Sequence, residues 1–214
     1  MVTPSAFAPF VDLAAQVMPL LDGADGAHDL AHILRVWHNA RTIAAVEGGR
    51  PDILAAATLL HDCVAVEKSS PLRSRASTLA AERASEILGR LGWPTEAITE
   101  VAHAIAAHSF SAGIVPATLE ARVLQDADRL DALGHIGISR CFYIAGRMGS
   151  AIYDADDVSA ERRPLDDTRY ALDHFRTKLL RLGEGFQTAA GARMAIERTR
   201  VMAAFLDGFE AELR

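Results

Sequence analysis

The feature that most restricts the fold of this chain is the helical spacing of its apolar residues, most of which are Ala and Leu. Half of the 214 residues are hydrophobic but only 6% are aromatic, and Ala and Leu outnumber Val, Ile and Tyr. Ala and Leu have high helix propensity, whereas strands are enriched in β-branched and aromatic residues. We therefore predict an all-α fold arranged as a single helical bundle.

Apolar periodicity and helix-breaking residues predict where the helices begin and end. The predicted helices cover Phe7–Leu21, about His28–Val46, Asp52–His61, Ser77–Leu91, a stretch after Pro94 that ends near His108, a stretch from Thr118 through Leu133, Thr168–Leu182 and Gly191–Leu213. Between them, Glu67–Ser74, Ser109–Ala117 and Met148–Asp167 are predicted loops. The last of these is either an active-site lid or a long surface loop.

The charge and the apolar segments limit the classes of partner. The formal net charge of -6 offers no overall attraction to nucleic acid or to an anionic membrane, so we expect neither a nucleic acid polymer nor a membrane as partner. No apolar run reaches the roughly 18 residues of a membrane span. The stretch Met1–Leu21 lacks a secretory-signal pattern, and Cys63 and Cys141 form no closely spaced pair. We expect a cytoplasmic protein with free thiols, and its oligomeric state stays open.

Imidazole and carboxylate side chains occur in an order that suits a metal site. His32 lies within one predicted helix, His61 and Asp62 lie at the end of another, and Asp128 lies on a later one. A single His-Asp pair arises readily by chance in a chain with 8 His, so order and placement carry the argument. Helical bundles bring such residues together in their interior, and mixed nitrogen and oxygen ligands suit one divalent cation: Mn, Fe, Ni, Co, Mg or Zn.

The chain resembles the HD-domain superfamily of metal-dependent phosphohydrolases. The resemblance rests on the H...HD...D pattern and on five blocks in the same order, namely HDLAHILRV, LLHDCVAVEK, AIAAHSFSAG, LQDADRLDALGHIGISR and HFRTKLLRL. Within the superfamily, it is similar to a bacterial subgroup that resembles deoxynucleoside triphosphate pyrophosphohydrolases. The resemblance implies a single HD domain over residues 1–214, with a metal-site core at about 28–147 and C-terminal helices at about 168–213. It also implies which residues bind the metal: His32, His61, Asp62 and Asp128.

A phosphate substrate also needs cationic side chains, because one cation leaves most of its charge unneutralised. Arg35 lies about one helical turn after the first predicted ligand, Lys68 follows the His-Asp loop, and Arg129 adjoins the last predicted ligand. We interpret Arg35 and Arg129 as substrate-binding candidates and Lys68 as a catalytic candidate, with a solvated surface role as the alternative for each. His108 could protonate a leaving oxygen or contact a phosphate. His103 lies five residues earlier, so the two rings should not form a joint metal site.

The sequence thus predicts an enzyme, a divalent-metal-dependent phosphohydrolase that acts on a phosphorylated small molecule. A nucleotide is the leading substrate class, and pyrophosphohydrolysis of a deoxynucleoside triphosphate is one candidate reaction. Two alternatives stay open. The first is a di-iron oxygenase of the HD type, which requires further His ligands between Asp62 and Asp128, where only His103 and His108 are available. The second is a non-catalytic module that binds a nucleotide.

Overall fold

A computed structural model describes residues 2–21, 30–66, 70 and 72–213, without the side chains of Arg73 and Ser111. The regular elements of these ranges are helices, and their only β-type contact is an isolated bridge between Ala151 and Tyr170. The predicted all-α fold is confirmed. No helix in the described ranges has both the length and the apolar character needed to cross a bilayer. The chain divides into two compact units, Met1–Asp128 and Arg129–Arg214, and a single domain over 1–214 stays a prediction.

The first unit contains the helices that carry the predicted ligands. These helices are α1 (Val11–Val17), α2 (Leu30–Glu47), α3 (Pro51–Leu60), α4 (Ala76–Arg90), α5 (Thr95–His108) and, as far as Asp128, α6 (Leu119–Leu130). Helix α3 forms the centre of the unit, because every residue from Ile53 to Leu60 is buried. It packs against α1, α2, α4 and α5. Its three consecutive alanines, at positions 55–57, allow these neighbours to approach closely.

Local sequence explains several helix ends in this unit. Pro51 lies in the first turn of α3, where the missing N–H costs no hydrogen bond. Thr118 precedes α6, and its hydroxyl oxygen accepts the N–H of Ala121, as expected of a helix cap. The predicted bounds of the helices now labelled α3 and α4 agree with the structure to within about one residue at each end. The predicted start of the second helix at His28 lies outside the described residues.

The prediction of one continuous helix over Phe7–Leu21 was wrong. A 3₁₀ turn covers Pro4–Phe7, α1 is confined to Val11–Val17, and another 3₁₀ turn covers Met18–Leu20. Pro9 and Pro19 explain both interruptions, because proline donates no backbone hydrogen bond and restricts the conformation of the residue before it.

The second unit contains a helix that the sequence analysis did not predict. The helices of this unit are α7 (Gly134–Met148), α8 (Ala171–Thr177) and α9 (Ala189–Ala211). Gly134 adopts a φ of 68°, the left-handed conformation that favours glycine, and a new helix starts there, directly after the stretch predicted to end at Leu133. Gly137 permits a close backbone approach, because a Cβ there would lie 2.2 Å from the carbonyl oxygen of Ala132.

The helix predicted from Thr168 to Leu182 is shorter in the structure. Helix α8 ends at Thr177, Lys178 leaves the helical conformation with a φ of -134°, and a 3₁₀ turn follows at Leu179–Arg181. Cys63 and Cys141 are both buried, and neither forms a disulfide bond.

The predicted irregular segment Met148–Asp167 is held by a buried ion pair within the second unit. Asp173 on α8 is fully buried, and its carboxylate accepts hydrogen bonds from both terminal nitrogens of Arg163, at 2.5 and 3.1 Å. Arg163 also pairs with Asp154 at 3.2 Å and lies over the ring of Tyr170. The ion pair thus ties this segment to α8.

Candidate metal centre

Helix ends in the first unit bring the four predicted ligands together. His32 lies in the first turn of α2, and Asp128 lies in the last turn of α6. His61 directly follows α3, and Asp62 comes next. Adjacent residues inside a helix point about 100° apart. Because α3 ends at Leu60 and His61 is its C-cap, both of these neighbours can face the same point.

The nitrogen and oxygen atoms of these residues are spaced like the ligands of one ion. The Nε2 atom of His32 lies 3.2 Å from Nε2 of His61, 3.6 Å from Oδ2 of Asp62 and 3.4 Å from Oδ1 of Asp128. The Nε2 atom of His61 lies 3.6 Å and 3.9 Å from the same two oxygens. Ligands bound at about 2.0–2.2 Å lie about 2.8–3.1 Å apart in octahedral geometry and about 3.3–3.6 Å apart in tetrahedral geometry. The separations in the cluster lie close to these values, so the residues fit a divalent cation after small side-chain shifts.

The site is buried on its imidazole side and open on its carboxylate side. His32 and His61 are each 1% exposed, whereas the side chains of Asp62 and Asp128 are 29% and 30% exposed. A cation can therefore reach the carboxylates from solvent.

The pKa values of His61, Asp62 and Asp128 are shifted in directions that favour a neutral imidazole and two ionised carboxylates. Burial, together with the neighbouring His108 and His32, lowers the pKa of His61 by more than the Asp62 and Asp128 carboxylates raise it. Burial raises the pKa of Asp62 and Asp128, but the neighbouring histidines lower it by more, so the pKa of each carboxyl lies below its usual range. Two ionised carboxylates beside the neutral imidazole of His61 attract a divalent cation.

Hydrogen bonds to helix carbonyls orient two of the imidazoles. Nδ1 of His61 lies 2.8 Å from the carbonyl oxygen of Thr58, and Nδ1 of His108 lies 2.6 Å from that of Ile105. A carbonyl oxygen only accepts hydrogen bonds, so Nδ1 carries the proton in both rings. In the neutral ring, Nε2 then has a lone pair with which it can bind a cation or a proton.

His108 joins the cluster beside Asp62. It is buried at the C-terminal end of α5, with Nε2 4.0 Å from Oδ1 of Asp62 and its ring centre 5.0 Å from that of His61. The described residues thus contain two groups of metal-ligand type that share His61: His32, His61 and Asp128, and His61, Asp62 and His108. The catalytic role assigned to His108 stays a prediction.

The predicted cationic residues are placed differently from one another. Lys68 lies outside the described residues. Arg35 is partly buried on α2, three residues after the first predicted ligand. Arg129 belongs to the second unit, where its Nε donates to the carbonyl of Leu182 at 3.0 Å and its guanidinium lies over the ring of Phe186. The catalytic role of Lys68 and the substrate-binding roles of Arg35 and Arg129 stay predictions.

His103 has a contact of its own, away from the cluster. Its Nε2 accepts the N–H of Ala117 at 2.9 Å, which ties the loop after α5 back to that helix. The two histidines of α5 thus have different surroundings, as their five-residue separation predicts.

Two buried amides that bind helix carbonyls next to the cluster were not predicted from the sequence. Asn39 on α2 donates from Nδ2 to the carbonyl of Ala127 at 3.0 Å, and Gln125 on α6 donates from Nε2 to the carbonyl of Ala107 at 2.7 Å. Each acceptor immediately precedes a residue of the cluster. Helical spacing could have identified both amides. Asn39 lies seven residues after His32, and Gln125 lies three residues before Asp128, so each lies on a similar helix face to a predicted ligand.

Known proteins resemble this chain over most of its length. The HD domain family model matches residues 29–133. The uncharacterized protein YpgQ of Bacillus subtilis strain 168 is 32% identical over 201 residues, which cover 92% of this chain and 90% of YpgQ. A crystal structure of YpgQ in complex with ADP matches with a TM-score of 0.72 and 31% identity, over 93% of this chain and 97% of that chain. A crystal structure of an HD-superfamily hydrolase from Bacillus thuringiensis matches with a TM-score of 0.71 and 31% identity, over 97% and 94%.

We expect the metal-free protein to contain His61 and His108 as Nδ1–H tautomers, because each Nδ1 donates to a helix carbonyl. Long-range ¹H–¹⁵N correlation spectra at neutral pH report the tautomer of each ring. His38 is exposed on α2 and provides the reference signal of a solvent-accessible ring. A neutral His61 with its proton on Nε2 would contradict the geometry.

Proposed function

Because the chain belongs to the HD-domain family, we propose that it is a divalent-metal-dependent phosphohydrolase whose substrate is a nucleotide. One observation carries the proposal. The Nε2 atoms of two histidines lie 3.2 Å from each other and 3.4 to 3.9 Å from carboxylate oxygens of two aspartates. These side chains, the proposed metal ligands, are His32, His61, Asp62 and Asp128. The hydrolase from Bacillus thuringiensis supports the reaction class, and the ADP bound by YpgQ supports a nucleotide as substrate.

The proposed mechanism assigns the cation to the imidazole Nε2 atoms and the carboxylate oxygens. A divalent cation bound there would polarise a phosphate oxygen and activate water for attack on phosphorus. The partly exposed carboxylates leave the phosphate a path from solvent to this point. Both carboxyl pKa values are lowered, so Asp62 and Asp128 stay ionised well below neutral pH and release no proton as the cation binds.

His108 is proposed to move a proton beside the phosphate. Its Nδ1 is engaged by a helix carbonyl, so Nε2, which lies on the side of Asp62, is the atom that gives or accepts the proton. Lys68 is proposed as a further catalytic residue, and Arg35 and Arg129 as substrate-binding residues. Their positive charges would offset the phosphate charge that a single cation leaves.

Removal of a proposed ligand should abolish phosphate release. With Mn²⁺, the purified protein is expected to release phosphate or pyrophosphate from a panel of nucleoside and deoxynucleoside triphosphates. His61→Ala and Asp62→Ala each remove one ligand, and both should reduce release to background. His38→Ala is the matched control, because it removes an exposed imidazole from the same unit and should leave activity unchanged.

Activity that persists in both ligand variants would contradict the proposal. A thermal-shift screen with the same nucleotides distinguishes an enzyme from a module that binds a nucleotide without catalysis. Stabilisation by a nucleotide without any product would indicate a binding module instead of an enzyme.

His108→Gln distinguishes proton transfer from metal binding. If His108 moves a proton, the substitution should lower kcat by about 100- to 10,000-fold while the metal content per chain stays unchanged. Steady-state kinetics and metal analysis by mass spectrometry give the two values. Parallel loss of metal and kcat would contradict this role. It would favour a second ion at His61, Asp62 and His108, the arrangement that the di-iron alternative requires.

A further inference from the structure

We propose that Asn39 and Gln125 are positioning residues that fix Asp128 and His108 within the site. Neither amide belongs to the proposed ligand set or to the proposed catalytic groups. The inference rests on the proposed function for the roles of Asp128 and His108, while the contacts that carry it are hydrogen bonds inside the first unit.

Both amides bind carbonyls at the ends of helices. Ala107 lies in the last turn of α5, and Ala127 lies in the last turn of α6. The internal hydrogen-bond ladder of a helix ends in this turn, and the negative partial charge of its carbonyls is concentrated there. A buried N–H donor from another helix satisfies such a carbonyl and also fixes the direction in which the chain leaves the helix.

The Asn39 amide connects two helices that carry proposed ligands. Asn39 is 5% exposed on α2, the helix of His32, and its acceptor Ala127 directly precedes Asp128 on α6. The bond therefore fixes the backbone from which the Asp128 carboxylate projects. In the structure, Oδ1 of Asp128 lies 3.4 Å from Nε2 of His32. Loss of the bond should loosen the spacing between these two proposed ligands.

The Gln125 amide acts on the other side of the cluster. Gln125 is 3% exposed on α6, three residues before Asp128, so both side chains lie on a similar face of that helix. Its acceptor Ala107 directly precedes His108 at the end of α5. One face of α6 thus supplies a proposed ligand and holds the helix end that carries His108. Loss of this bond should change the position of the His108 ring.

Glu120 provides a matched control on the same helix. It is 9% exposed on α6, and its carboxylate accepts the backbone N–H of Arg50 at 2.8 Å. This bond also links two helices, but it lies at the start of α3, opposite the end at which His61 is found. Glu120 therefore shares the burial and the cross-link with the two amides without adjoining a residue of the cluster.

Asn39→Leu and Gln125→Met remove the donors while keeping side chains of similar length. We expect Asn39→Leu to weaken Mn²⁺ binding by about 10- to 100-fold, the usual effect of losing a contact that orients a metal ligand. Calorimetric titration of the metal-stripped protein with Mn²⁺ measures this affinity. We expect Gln125→Met to lower kcat by about 10- to 100-fold with unchanged Mn²⁺ affinity, and to shift the ¹⁵N signals of the His108 ring. Glu120→Ala should lower Tm only.

If Asn39 and Gln125 have a merely structural role, all three variants should lower Tm and leave Mn²⁺ affinity, kcat and the His108 signals unchanged. That result would overturn the inference. If a variant fails to fold, Asn39→Ala and Gln125→Ala remove the amide donor without adding a charge beside the cluster and carry the same expectations. A wild-type protein that binds Mn²⁺ but hydrolyses no nucleotide would refute the proposed function alone, since calorimetry and the His108 signals still decide the inference. A wild-type protein that binds no Mn²⁺ would refute both.

Discussion

The site depends on the hydrogen bonds from imidazole Nδ1 atoms to carbonyls at the ends of helices. His61 donates to Thr58 and His108 donates to Ile105, in both cases to a carbonyl three residues earlier. Turning either ring would break a buried hydrogen bond, and leaving a buried polar group without a partner costs about 1–3 kcal/mol. One contact thus satisfies a helix-end carbonyl and directs the Nε2 atom toward the cluster, before any cation binds.

The same helix ends contribute to the charge of the cluster. The C-terminal ends of α3 and α5 carry negative partial charge, and the lowered pKa values of Asp62 and Asp128 keep both carboxyl groups ionised at neutral pH. Such surroundings repel a free phosphate and attract a divalent cation. A phosphate substrate therefore suits this site only together with a cation. The proposed function thus requires the metal for substrate binding as well as for catalysis.

The parts of the molecule that follow from local patterns could be predicted, and those that depend on helix-to-helix placement could not. The His61–Asp62 pair follows a helix that starts at Pro51, so its place at a helix end was evident from sequence. Helix α7 was missed because the glycines at 134 and 137 suggest a weak helix, whereas one forms a left-handed turn and the other allows close packing. The bonds of Asn39 and Gln125 depend on how the helices are rotated against each other, which periodicity does not determine.

The most direct test of the central claim is anomalous diffraction from crystals grown with Mn²⁺. We expect an anomalous peak within about 2.4 Å of the Nε2 atoms of His32 and His61 and of a carboxylate oxygen from each of Asp62 and Asp128. A map without a peak in this cluster, or with the ion bound by other residues, would contradict it.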